Sequence, residues 1–188
     1  ALDTGKMLWT YEGWYCKIPI PYPTILPDDR LFITGGYDAG SVMLQVSQQD
    51  GAFAVKELFK LDKDVCASRI QQPLYHEGHL YVGSNSNEGM GGLRCFTLDG
   101  KLLWSTADDD TLPTIERGNL LLVDGLILGM QGDEGTLHLI EPSPEGYKEL
   151  AQASVFRGKK IWTPMALSQG KLVLRDQRYL KCLDLATR

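Results

Sequence analysis

Few residues in this chain have the types and spacing that chemistry requires. His76-Glu77-Gly78-His79 sets two imidazoles and a carboxylate within four positions, a donor set that a transition metal could use. The histidines are three apart rather than four, so they lack the H-E-x-x-H spacing that puts both on one helix face. The glycine between them marks a solvated turn. Asp108-Asp109-Asp110 offers three carboxylates to a hard cation such as Ca²⁺. The glycine and distal glutamate of an EF-hand loop are missing, and the run reads as a solvated acidic loop. Cys16, Cys66, Cys95 and Cys182 show no C-x-x-C spacing. Asn85 to Gly92, rich in Gly, Asn and Ser, is a candidate functional loop or a plain elongated hairpin. No Ser/His/Asp or paired-carboxylate constellation is evident. No catalytic residue and no metal ligand is therefore assigned, and binding is favoured over catalysis.

The elements that must position these residues are short strands. Pro73 to Trp104 reads as one four-stranded antiparallel unit. An apolar run ends at Tyr75, His76-Glu77-Gly78 turns, and Leu80-Tyr81-Val82 is a strand of β-formers. Leu93, Cys95 and Thr97 alternate with Arg94 and Phe96, Asp99-Gly100-Lys101 turns again, and Leu102-Leu103-Trp104 opens the fourth strand. Both faces of the unit carry apolar residues, so it needs neighbours on both sides.

The unit recurs. Its second strand returns as Leu31-Phe32-Ile33, Leu80-Tyr81-Val82, Leu126-Ile127-Leu128 and Leu172-Val173-Leu174, steps of 49, 46 and 46 residues. Third strands return at Leu93-Arg94-Cys95-Phe96, Leu137-His138-Leu139-Ile140 and Leu180-Lys181-Cys182-Leu183, while the first copy is ambiguous around Val42-Met43-Leu44. Val55 in copy one and Tyr147-Lys148-Glu149-Leu150 in copy three stand where copy two has its fourth strand and Trp104. A period in the forties with four short strands per unit predicts an all-β fold of β-propeller blades. The expected organisation over residues 1–188 is an outer strand at 1–11 that completes the last or a preceding blade, blades at 21–61, 70–107 and 118–155, and an incomplete blade at 161–188.

Gly78-His79-Leu80-Tyr81-Val82-Gly83-Ser84, Gly100-Lys101-Leu102-Leu103-Trp104 and Leu2-Asp3-Thr4-Gly5-Lys6-Met7-Leu8-Trp9 resemble the quinoprotein-type, or PQQ-like, propeller repeat. The resemblance covers nearly the whole chain. It implies an arc of about four blades from a larger, eight-bladed propeller, with a closed four-bladed ring as the alternative. It gives Trp9 and Trp104 a structural role, docking between neighbouring blades. It implies export to the periplasm or cell exterior. It admits PQQ and Ca²⁺ as cofactors, although the family's vicinal disulfide and its acidic ligand set have no counterpart here, and the residues themselves predict no cofactor.

Matching third-strand positions make Cys95 and Cys182 buried apolar residues held too far apart to bond. Cys16 and Cys66 each lie seven residues before a blade-opening proline, Pro23 or Pro73, and fall in equivalent loops, so a disulfide between them is left open. Trp14, Tyr15, Arg69, Arg117, Lys160 and Trp162 all precede inner strands, and such loops gather on one face of a propeller. Aromatics mixed with cations there would suit a peptide or sugar, although ordinary interblade packing is the favoured reading.

The net charge of −5 argues against nucleic acid and acidic membrane surfaces as partners, and no apolar run reaches a membrane span. The chain opens inside a motif and is expected to be a mature or excised fragment. Three functions follow. The first is a non-catalytic scaffold that presents its face loops to a protein partner, to remaining blades or to a second copy. The others are a portion of a PQQ-dependent dehydrogenase and a carbohydrate-binding propeller.

Overall fold

The computed structural model describes residues 1–84, 91–158 and 160–186. Strand alternation wins throughout. Among the described residues fifteen strands form four antiparallel sheets, each built from consecutive strands. Sheet 1 comprises β1 (Thr24–Leu26), β2 (Arg30–Gly35), β3 (Gly40–Gln49) and β4 (Ala52–Leu61). Sheet 2 comprises β5 (Leu74–His76), β6 (His79–Gly83), β7 (Leu93–Thr97) and β8 (Leu102–Ser105), followed by a single 3-10 turn, Thr106–Asp108. Sheet 3 comprises β9 (Leu120–Val123), β10 (Leu126–Gln131), β11 (Thr136–Ile140) and β12 (Glu149–Ser154). Sheet 4 has three strands, β13 (Ala166–Ser168), β14 (Lys171–Arg175) and β15 (Leu180–Asp184). No helix among the described residues is long and apolar enough to cross a membrane.

The first hairpin of every sheet turns on two residues with positive φ: Asp28 and Asp29, Glu77 and Gly78, Asp124 and Gly125, Gln169 and Gly170. Such a turn matches the right-handed twist of the strands it joins. It also fixes the register between copies. Measured from the turn, the residues equivalent to Leu80 are Leu31, Ile127 and Leu172, so the sequence alignment of the third copy on Leu126 is one residue out. The β-bulge between the third and fourth strands confirms the correction. It falls at Met43/Leu44, Cys95/Phe96 and Leu139/Ile140, the same repeat position each time.

That register corrects the outer strands as well. Cys95 pairs with Trp104, and its equivalent Met43 pairs with Phe59, so Phe59 rather than Val55 stands at the Trp104 position. The β3–β4 hairpin runs ten residues on each side, which carries Val55 past the sheet-to-sheet contact. In sheet 3 the position is held by Ala151, because β12 starts at Glu149 and Tyr147-Lys148 belong to the turn before it.

The sheets stack face to face in chain order, and period-two alternation supplies both faces. Leu80, Val82 and Phe96 point toward sheet 1 and join Leu26, Phe32, Met43 and Cys66. Tyr81 and Cys95 point the other way and join Ile115, Leu120, Ile127 and Ile140 of sheet 3 and its lead-in segment. Leu128, Met130 and Leu137 then meet Met165, Leu172 and Leu174 of sheet 4. Buried Arg94 straps sheet 2 to sheet 1 by donating to the carbonyls of Asp64, at 2.9 Å, and Val65.

Residues 1–11, read from the sequence as an outer strand, form none; the first strand begins at Thr24. Instead Trp9, Tyr11, Trp14, Pro19, Pro21 and Pro23 lie over the free face of sheet 1 against Ile33 and Leu44. Prolines cannot donate to a ladder, so this cover is held by side chains. Tyr11 hydrogen-bonds Glu57, and the Cys16 thiol donates to the Gly36 carbonyl at 3.4 Å. Val42 and Leu44 are fully buried beneath it. Among the described residues, none covers the opposite end of the stack in this way. Cys182, expected to be buried like Cys95, is exposed, because β15 is an edge strand and its outward row faces no further sheet.

Candidate functional site

The lead-in segments meet the turns between second and third strands at one end of the sheets. Trp14 Nε1 donates to the Ala39 carbonyl at 3.0 Å, in the β2–β3 turn of its own sheet. Arg69, leading into sheet 2, stacks its guanidinium 4.5 Å from the centre of the Tyr37 ring in that same turn. The β10–β11 turn is bracketed likewise. Gly132 donates to Glu116 at 2.9 Å and accepts from the Ile161 amide at 2.8 Å. These two turns each touch their own lead-in and the next sheet's. The contact is tight enough to require glycine: a Cβ on Gly132 would lie 2.6 Å from the Arg117 carbonyl, and one on Gly36 would lie 2.9 Å from Arg69 Cβ.

All six expected face residues lie at this end. Arg117 pairs with Glu116 at 2.9 Å, the Lys160 carbonyl accepts from Gln177 at 3.0 Å, and the Trp162 carbonyl accepts from Asn119 at 2.7 Å. Tyr15 and Trp162 present their rings to solvent, 79% and 37% exposed. The segments leading into sheets 3 and 4 are also strained. Ile115, Arg117 and Lys160 hold φ of 44°, 53° and 69°, and for β-branched, buried Ile115 that conformation is costly. Strain of this kind persists where the surroundings over-determine it and gathers at working surfaces.

The remaining sequence candidates resolve as turns. His79 Nδ1 lies 2.9 Å from the Glu77 carbonyl, and His76 stands 3.9 Å from the Glu77 carboxylate, an exposed pair worth little. Asp109 accepts from the Thr111 amide at 2.9 Å and its hydroxyl at 2.6 Å, bonds that lower its pKa. All four cysteines are free thiols, Cys16 and Cys66 included. Burial pushes the Cys66 thiol up to about 11, leaving it an unreactive proton-bearing group. Residues 85–90 of the Asn85 to Gly92 loop lie outside the described residues. PQQ with Ca²⁺ is poorly matched by this donor set. No cysteine has a cysteine neighbour in sequence, and no three His, Cys, Asp or Glu side chains converge among the described residues.

One polar cluster escaped the sequence reading. His138 sits in the middle of β11, only 2% exposed. Its Nδ1 lies 2.6 Å from Glu149 Oε2 and its Nε2 3.3 Å from Gln131 Oε1, and the Tyr147 hydroxyl donates to the same Glu149 oxygen at 2.7 Å. Burial first, and then the bond to Glu149, push the Tyr147 phenol well above its ordinary range, so it remains a donor. The cluster floors a polar hollow of about 530 Å³ that also includes Thr111, Thr114, Glu116 and Asp133. Each imidazole nitrogen faces a side chain of a neighbouring strand, Glu149 in β12 and Gln131 in β10. The network braces β11 against β12. The signal in the sequence was a lone histidine inside an apolar strand, which periodicity treats as noise.

A scan against protein-family models finds no match to this chain, and a search of curated proteins finds none either.

Proposed function

We propose that the four sheets are consecutive blades of a β-propeller built from the quinoprotein-type, PQQ-like repeat. In this reading the chain is an arc of a larger ring and works as a non-catalytic scaffold. Its lead-in segments, with Tyr15 and Trp162 outermost, hold a protein partner. The observation that carries the reading is the bracketing of the β2–β3 and β10–β11 turns, each between its own sheet's lead-in and the next one, which sets loops of successive sheets side by side at one end. Rigid scaffolds displaying such loops are where binding residues concentrate. The arc is supported by the apolar clusters, which join sheets 1 to 2, 2 to 3 and 3 to 4, with none joining 4 to 1 among the described residues. Export follows from the same resemblance and belongs to the proposal.

The test pairs two measurements. Cross-linking in extract from the source cells should recover a partner with the wild-type chain and lose it with Tyr15→Ala/Trp162→Ala, at an unchanged melting temperature. Retention of the same partner by the double variant would move the surface elsewhere. Titration with PQQ and Ca²⁺ should leave absorbance and Tm unchanged, and a rise of several degrees would replace the scaffold by a dehydrogenase portion.

A further inference from the structure

The corrected register lines up one third-strand position across the sheets: Arg94 opposite Val82, His138 opposite Gly129 and Lys181 opposite Leu174. In sheet 1 the position is Val42, fully buried. In sheets 2 and 4 the residue is a cation that reaches back to the segment leading into its own sheet. Arg94 donates to the carbonyls of Asp64, at 2.9 Å, and Val65. Lys181 donates to the Val155 carbonyl, with its ammonium 4.9 Å from the centre of the Phe156 ring. Sheet 3 lacks this clamp. His138 is shorter, and its ring nitrogens face Glu149 and Gln131 of its own sheet. The corresponding stretch of the segment leading into sheet 3, Thr111 to Thr114, forms instead one wall of the polar hollow of about 530 Å³, with His138 in the wall that faces it.

We propose that this hollow binds a guanidinium or ammonium head group, the chemistry shared by a basic side chain of a partner and by a free small cation. The repeat specifies the occupant: at the two equivalent positions the protein supplies a guanidinium and an ammonium. The walls fit that charge. No Lys or Arg lines the hollow, whereas Asp133, Glu134 and Glu149 do, and Glu116 beside them lies against Arg117 at 2.9 Å. Asp133 Oδ1 is buried with no hydrogen-bond partner among the described residues. A buried acceptor left without a donor is costly, and a cationic N–H would satisfy it with the stronger, charge-assisted kind of bond. No three His, Cys, Asp or Glu side chains converge among the described residues, which suits a head group with several separate donors rather than a metal ion. The hollow lies between two four-stranded sheets, and every residue of its walls is described. The proposal does not rest on the scaffold reading, because a free cation would fill the hollow whatever Tyr15 and Trp162 hold.

Methylguanidinium and N-acetyl-arginine amide are the probes, with urea as the uncharged planar control. Each is titrated into the full chain and followed by the side-chain resonances of His138, Gln131 and Gln152. Both cations should shift these three first and saturate. Tighter binding of N-acetyl-arginine amide assigns the hollow to a basic side chain of a partner, and no gain over methylguanidinium assigns it to a free small cation. Asp133→Asn should melt with the wild type and bind either probe about tenfold more weakly. His138→Arg should supply its own cation and show no response; should that variant fail to fold, Asp133→Asn decides alone. The proposal is overturned by no saturable response to either cation, by an equal response to urea, by shifts centred on other side chains, or by undiminished binding in Asp133→Asn.

Discussion

Replacing Trp104 by alanine tests the stacking of sheets most directly. The indole is half-buried between sheets 2 and 3, its ring 6.2 Å from Tyr81 and 6.5 Å edge-on to Tyr147, with Nε1 on the Ser143 carbonyl. A tryptophan buries about 150–250 Å² when fully enclosed. Half-burial leaves roughly 100 Å², worth about 2.5 kcal/mol at about 25 cal/mol per Å². The two ring contacts add about 1 kcal/mol beyond area. The hydrogen bond adds about 0.5 kcal/mol, since the Ser143 carbonyl can regain water. Trp104→Ala should therefore cost about 3–4 kcal/mol, a fall in Tm of roughly 8–14 °C for a chain of this length. Trp104→Phe keeps the packing and should lose only about a third of that. Phe59→Ala should behave like Trp104→Ala, while Val55→Ala and His76→Ala should lie within about 2 °C of wild type. Scanning calorimetry on the five variants decides the matter. Equal melting of Trp104→Ala and His76→Ala would refute the docking role, and a Val55 variant worse than the Phe59 variant would refute the register.

Three further outcomes follow from the geometry. Gly118→Ala should fail to fold, because its Cβ would lie 1.6 Å from the Met130 carbonyl oxygen, whereas Gly146→Ala meets nothing within 4 Å and should be silent in the same expression and melting assay. Burial raises the Cys66 thiol from 9.0 to about 11, so the unfolded chain ionises first as pH rises; stability present below pH 9 should decline up to pH 11, by up to about 2–3 kcal/mol from this group, and Cys66→Ala should remove that part of the decline in urea titrations while the share of Cys95, raised likewise, remains. Light scattering should find the 20.9 kDa chain self-associating, since the free face of sheet 4 and the edge of β15 expose Tyr179, Leu180 and Cys182; a monomer stable to dilution would overturn the arc.

The repeat was legible because turn chemistry is local. Glu77-Gly78 and its counterparts announce hairpins in the letters, and alternation announces strands. What failed was whatever depended on a partner elsewhere in the chain. One residue of slip in copy three is invisible without the turn geometry that pins it, since Leu126, Ile127 and Leu128 are all apolar. Val55 and Phe59 are equally good strand residues, and only the bulge at Met43/Leu44 chooses between them. The N-terminal motif reads as a strand at Leu2 to Trp9, but a strand needs a neighbour to bond, and the prolines that follow turn the chain across the face of sheet 1 instead. His138 was overlooked because its partners, Gln131 and Glu149, come from two other strands.

The three apolar clusters share no residue, and each is bounded by two successive sheets. A molecule so arranged behaves as a one-dimensional array of coupled units, its stability a sum of intrinsic sheet terms and nearest-neighbour terms. Sheets 2 and 3 have a neighbour on each side. Among the described residues sheet 4 has three strands and one neighbouring sheet, so in this 188-residue chain it should open before the others. Amide exchange should then run in a gradient, fastest in β15 and slowest in β6, β7 and β10, and the denaturant slope should fall below that of a single cooperative domain of 188 residues.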